Sequence, residues 1–231
     1  DNIGALIWSK SMEMNDMEKP DFLKNAMRNL SIPVITMEKY GFDCPGVDIL
    51  FDYEKGGYMA TRHLIECGHK RIGCVAGKQS FHVTMQRLNG YKKALEESGI
   101  SYDPDLVYFG DYTMESGYEA FSYILGQKVT AIFSMNDEMA FGIYRAARLY
   151  GVLIPEDISI IGFDNVPFAD VMQVPLTTIG VPVIEMGKKL GEKVVELIDN
   201  KEKLKEREEI LYTPRLLVRG STKSIPPVTV I

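Results

Sequence analysis

Ala131-Ile132-Phe133-Ser134, then Asn136-Asp137, then Met139, Ile143, Ala146 and Tyr150 at helical spacing, then Ile158-Ser159-Ile160-Ile161-Gly162: this stretch decides the fold. Its first and last segments are short apolar runs of the kind shown by strands buried on both faces, and the segment between them keeps an i, i+4, i+7, i+11 stripe. Gly151 stops the helix, and Pro155 and Asp157 lead into the second strand. Two buried strands joined by a helix form a parallel βαβ unit, whose crossover is right-handed.

Working outward, the same alternation repeats. Residues 56–67 read as a helix closed by Gly68, followed by a strand at Arg71-Ile72-Gly73-Cys74-Val75-Ala76. A helix over about 84–98 carries Leu88, Tyr91 and Leu95 on one face, and Leu106-Val107-Tyr108-Phe109 is the next strand. Met114, Tyr118, Phe121 and Leu125 mark a further helix. Four strands with intervening helices predict an α/β lobe whose parallel sheet is covered on both sides. Before it, segments 3–8 and 33–37 read as two strands of a first lobe, around a helix near 20–30. After it, Pro182 opens a helix with Gly187, Leu190, Val194 and Leu197 inward, and the charged run over 201–209 reads as its solvated end. Strands near 210–212 and 216–219 complete the chain, and Pro226-Pro227 marks a tail. Two strands are few for a parallel lobe, whose first strand normally lies inside the sheet, so upstream sequence is expected to complete it.

Composition narrows the function classes. The 231 residues are 45% hydrophobic and 25% charged, with a net charge of −6, which is ordinary globular composition. An acidic surface does not grip phosphates, so any DNA role needs another segment. Cys44, Cys67 and Cys74 are three in number and form no C-x-x-C, which reads as free thiols in a reducing cytoplasm. No segment has the length of a membrane span, and the amino end does not read as a signal peptide. There is no G-x-G-x-x-G, P-loop or G-x-S-x-G. His63 and His69, with Cys67 between them, do not place three metal ligands on one face, so no metal or cofactor is expected.

In an open parallel sheet ligands bind beyond the carboxyl ends of the strands. The residues there are Gly77-Lys78-Gln79-Ser80-Phe81-His82-Val83 leading to Arg87, then Gly110-Asp111-Tyr112, Asn136-Asp137 and Phe163-Asp164-Asn165. A guanidinium, an aromatic face, an amide and a carboxylate on one rim suit a small neutral polyhydroxylated ligand, and Phe81 and His82 lie in the same rim loop. Each also has a plain structural use. Asn136 is a helix N-cap, Asp164-Asn165 a turn pair, Tyr112 a cover for the sheet edge, Arg87 a salt-bridge partner, and His82 a solvated loop residue. Their joint occurrence at four successive strand ends favours the ligand site. An enzyme is not expected, because Asp164 has no histidine partner that spacing supplies.

Several motifs together resemble the LacI/GalR repressors. They are Phe51-Asp52-Tyr53-Glu54-Lys55-Gly56-Gly57 with His63-Leu64-Ile65-Glu66-Cys67-Gly68-His69-Lys70-Arg71-Ile72, then Gln86-Arg87-Leu88-Asn89-Gly90-Tyr91, Ser134-Met135-Asn136-Asp137-Glu138-Met139-Ala140, Ile154-Pro155-Glu156-Asp157 and Pro175-Leu176-Thr177-Thr178-Ile179 with Met186-Gly187. The resemblance implies a two-lobed periplasmic-binding-protein-like type I fold, each lobe a parallel sheet flanked by helices, with three crossovers near 51–53, 179–183 and 211–214. It implies a first lobe of 1–51 plus 180–211, lacking its first strand and helix, a second of 52–179 plus 212–221, and a tail of 222–231. It further implies a cytoplasmic, homodimeric regulator with a sugar effector held in the cleft between lobes by Arg87, Tyr112, Asn136 and Asp164. DNA contact comes only through a headpiece absent from these residues. The stretches 4–11 and 53–60 are most similar to arabinose-type repressors, whose headpiece is a winged helix. One departure is Gly180-Val181, where family members commonly carry a basic residue and glutamine. The same fold also serves exported sugar-binding proteins of transporters, the alternative reading.

Overall fold

The computed structural model describes residues 3–9, 25–26, 30, 32–39, 46–200 and 207–226. The chain divides into two compact units, one of Asp1–Asp52, Ser80–His82 and Pro182–Thr213, the other of Tyr53–Gln79, Val83–Val181 and Pro214–Ile231.

The first unit is built on a parallel sheet of four strands, β1 (Leu6–Trp8), β2 (Val34–Thr36), β3 (Gly46–Phe51) and β9 (Arg207–Tyr212), in the order β1-β2-β3-β9. Val34, Ile35, Val47 and Ile49 form its core. Strand β3 is a correction to the two strands read in residues 1–51. Asp48 interrupts its apolar pattern, yet that side chain is buried, accepting from the Thr36 hydroxyl and from Arg207 Nε at 2.8 Å. Helix α5 (Val183–Asp199) buries Met186 and Leu197 with Leu190 and Val194 half-buried, whereas Gly187, expected inward, is exposed. The charged run is corrected as well: Arg207-Glu208-Glu209 opens β9 instead of extending the helix, and 201–206 lie outside the described residues. So do Cys44, most of the helix expected near 20–30, and 227–231.

The second unit is a six-stranded sheet in the order β10-β8-β7-β6-β4-β5. Its strands are β4 (Ile72–Ala76), β5 (Val107–Phe109), β6 (Ala131–Ser134), β7 (Ser159–Asp164), β8 (Thr177–Gly180) and β10 (Arg215–Leu217), of which only β10 runs antiparallel, against β8. The helices are α1 (Tyr53–Glu66), α2 (His82–Glu97), α3 (Met114–Gly126) and α4 (Asp137–Tyr150). The sequence pattern placed four strands here and did not read 177–180 as one; β8 is an inner strand, all four residues buried, and the chain leaves this unit just after it, at Val181. Its threonines hide it in the sequence, because their hydroxyls are satisfied by distant partners: Thr178 donates to Asp137 Oδ1 at 2.7 Å, and the Thr177 hydroxyl accepts the Arg219 N–H at 2.9 Å.

Two features position the rim. A methyl group on Gly57 of α1 would stand 2.2 Å from the Arg87 carbonyl, so this glycine lets α2 lie close against α1 and carries Arg87 over the sheet end. The chain beyond β10 is fastened along the unit, Ile160 N–H donating to Ser221 O and Ile225 N–H to Cys67 O, both at 2.8 Å. Among the described residues no helix is long and apolar enough to cross a membrane.

Candidate functional site

The segments at the carboxyl ends of β4, β5, β6 and β7 bring together Arg87 on α2, Tyr112 in a loop, Asn136 at the head of α4 and Asp164 at the end of β7, all within the second unit. Arg87 is the centre. Only 6% exposed, its guanidinium lies 3.9 Å from the Phe163 ring centroid, 5.0 Å from that of Tyr53 and 5.8 Å from that of Tyr112. Aromatic faces carry partial negative charge, so this cage offsets part of the desolvation of the cation. One terminal nitrogen donates to the Met135 carbonyl and the other faces Asp164 Oδ1 at 3.4 Å, while the buried Nε has no hydrogen-bond partner among the described residues.

Asp164 is the last residue of β7, half-buried, and its backbone has φ +111°. Burial pushes its carboxyl above the ordinary value and the neighbouring Arg87 draws it back down. Asn165 follows at φ +59°, its side-chain oxygen accepting from Arg219 Nη2 at 2.7 Å. Tyr112 is a third residue of positive φ, at +73°. Its hydroxyl meets Thr84 Oγ1 at 2.6 Å, and burial raises the phenol above its usual range against the opposing charge of Arg87. Asn136 is the helix cap that its position in the sequence suggested, and it also reaches Tyr112. Its oxygen caps α4 by accepting the Met139 N–H at 2.9 Å, and its amide nitrogen donates to the Tyr112 carbonyl at 2.9 Å.

The other two residues read for the rim, Phe81 and His82, group with the first unit, in Ser80–His82. Sequence reasoning placed Phe163 and Asp137 at strand ends without a role and passed over Tyr53 and Arg219; Tyr53 and Phe163 cage the guanidinium, and Asp137 and Arg219 hold the Asp164–Val166 corner. In the sequence Phe163 falls in the loop after the fourth strand and Tyr53 in the crossover segment near 51–53, and no spacing rule ties either to Arg87. The two remaining histidines are engaged by hydroxyls, His63 with Thr222 at 2.9 Å and His69 with Thr130 at 2.9 Å and Ser159 at 3.0 Å. Among the described residues no group of three His, Cys, Asp or Glu is arranged to hold a metal.

The arrangement offers paired donors and a carboxylate acceptor beside aromatic faces, with the cation balanced by Asp164. Such a site rewards a neutral ligand with hydroxyl groups over an anion, because it presents no net positive charge.

Comparison with known proteins gives a consistent picture. The periplasmic binding protein-like domain family matches residues 61–222. The transcriptional repressor PurR of Photobacterium profundum is 36% identical over 208 residues, 89% of this chain and 61% of the repressor. The chain thus spans about three fifths of the length of the curated relative it matches. A regulatory protein of the LacI family from Chloroflexus aggregans superposes with a TM-score of 0.79 at 30% identity, covering 96% of this chain and 77% of that one. A ribose-bound LacI-family regulator from Enterococcus faecalis superposes at 0.82 with 28% identity, over 98% of this chain and 80% of that one.

Proposed function

The chain belongs to the LacI/GalR family of transcriptional regulators, as an effector-binding domain of periplasmic-binding-protein-like fold, and from that premise we propose that it senses a small neutral sugar, a pentose or hexose, through Arg87, Tyr112, Asn136 and Asp164. Occupancy of this rim alters the DNA affinity of a DNA-binding segment carried by the full-length regulator in the cytoplasm. Two copies act together, since two-fold operators are read by two-fold dimers.

The observation that carries the reading is the meeting of four strand-end loops on one balanced pair, Arg87 and Asp164, 3.4 Å apart. A buried guanidinium whose Nε has no partner among the described residues is a poor device for stability alone. Support also comes from the ribose found in the Enterococcus faecalis relative.

Thermal unfolding against a panel of pentoses, hexoses, sugar phosphates and purines tests the proposal. A sugar at 100 times its dissociation constant stabilises by about 2.7 kcal/mol. Neutral pentoses or hexoses should raise the midpoint; a response to sugar phosphates or purines alone would sink the neutral-sugar reading. Light scattering on the full-length regulator tests the dimer, a monomer mass counting against it.

A further inference from the structure

Asp164 and Asn165 are consecutive residues in backbone conformations that L-amino acids rarely adopt. Strain of this kind persists only where surrounding contacts over-determine it. Those contacts converge on Asp137, a fully buried residue at the first position of α4. One carboxylate oxygen accepts the Val166 N–H at 2.9 Å, and the Asn165 N–H also donates to the group. The other oxygen accepts from Thr178 of β8 at 2.7 Å. Room for it exists because residue 162 is glycine, where a methyl group would stand 2.2 Å from Asp137 Oδ1. The Val181 N–H closes the corner by donating to the Asp164 carbonyl at 3.3 Å.

We propose that Asp137 is a positioning residue of the effector site: its carboxylate ties Thr178 to the Asn165 and Val166 amides and so holds the Asp164 carboxylate beside Arg87. The proposal rests on the reading of Asp164 as a ligand residue. It gives the Asn136-Asp137 dipeptide a joint role at the head of one helix. Asn136 secures the left-handed Tyr112 by its carbonyl on one side, and Asp137 secures the left-handed Asp164-Asn165 pair on the other.

The electrostatics separate positioning from simple packing. Burial pushes the Asp137 carboxyl up to about 6, opposed by the bonds from Thr178, Val166 and Asn165 and reinforced by the Asp164 charge. The groups that face it are therefore the Thr178 hydroxyl from β8, the two corner amides, Asp164 beside them, and the Tyr144 phenol along α4, which its charge also raises. Because the folded value lies above the unfolded one, the ionised form is carried against folding stability. As pH falls through about 6 the proton occupies an acceptor position and the corner loses a bond, while the global stability contribution of this group rises. A residue that merely fills the core would move corner and core in the same direction.

The test is amide hydrogen exchange and chemical-shift titration by NMR on the whole chain without ligand, for wild type and Asp137→Asn. In wild type the Asn165 and Val166 amides should titrate with a midpoint near 6, and in Asp137→Asn that titration should vanish. Exchange at Val166 should speed up at least about tenfold in the variant, with the amides of β4 and β6 unchanged. Unchanged exchange at Val166, or acceleration spread equally over β4 and β6, overturns the proposal. If Asp137→Asn does not fold, Thr178→Val removes one donor and should shift the titration upward and loosen Val166 less strongly; no shift overturns it equally. Titration of wild type and Asp164→Asn with D-ribose judges the underlying site separately. Equal binding by both, or none by wild type, counts against Asp164 as a pentose ligand and leaves the corner result to decide Asp137.

Discussion

The ring of Tyr112 lies directly on the backbone of Gly77, where an added methyl group would stand 2.0 Å from the ring carbon Cζ. The glycine following β4 therefore decides where the aromatic face of the rim can lie. Thr84 meets the hydroxyl at 2.6 Å and Asn136 holds the carbonyl at 2.9 Å, so the residue is tied at both its side-chain tip and its backbone.

Gly77→Ala should expel the ring. Overpacking of this size costs about 1–3 kcal/mol, and urea unfolding should register it. The phenol, raised by burial in the native protein, should return toward its ordinary value of 10.0 as it enters water, which spectrophotometric titration of tyrosine reads. Unaltered stability and titration would mean that the ring adapts without cost.

Arg87→Ala and Asp164→Asn should each weaken binding of a neutral sugar about 10- to 150-fold, since a hydrogen bond to a charged group contributes roughly 1.5–3 kcal/mol. Tyr112→Ala should cost about 1 kcal/mol, stacking on the apolar face of a sugar being the smaller effect. Calorimetric titration on the folded variants gives the order. Arg87→Ala carries a second signature: without the cation that draws it down, the half-buried Asp164 carboxyl should titrate higher than in wild type.

His69 is 1% exposed and burial lowers its pKa, so it is neutral at pH 7 and bridges Thr130, Ser159 and the carbonyl of Lys223 at 3.2 Å. A base whose folded value is depressed contributes stability that is present above the unfolded value and is lost as pH falls below about 6.5, by up to about 1.4 kcal/mol per unit. His63 and His82 shift in the same direction and Asp137 works in the opposite sense. The comparison is therefore between wild type and His69→Gln, by urea unfolding at pH 7.5 and pH 5.5. The variant should be less stable at the higher pH and lose less on acidification; parallel losses would exclude His69 from the acid response.

Cys74 is completely buried in β4 and burial pushes its thiol far above the ordinary range. Alkylation at pH 8 should therefore label Cys74 only at the rate of global unfolding, whereas Cys67, partly exposed, should react sooner. Mass spectrometry of the two peptides after timed labelling decides this, and equal rates would contradict it.

The sequence alone determined the alternation of β4, α3, β6, α4 and β7, because apolar runs and helical stripes are local consequences of burial on two faces or one. It also determined Arg87, Tyr112, Asn136 and Asp164 as a group, because all strand ends of a parallel sheet open on the same edge. Tertiary structure decided what depends on polar groups finding distant partners. Asp48 can sit inside β3 only because Arg207, 159 residues away, reaches it, and Thr178 can sit inside β8 only because Asp137 accepts its hydroxyl. The guanidinium cage and the left-handed corner arise in the same way. Tyr53 and Phe163 meet Arg87 because α1 packs on β7 and α2 lies close against α1, and two strained residues at 164 and 165 hold their shape through contacts from β8, α4 and Arg219. A buried polar residue looks unfavourable in a local window and becomes favourable when a remote partner satisfies it, so its place is set by the assembled fold.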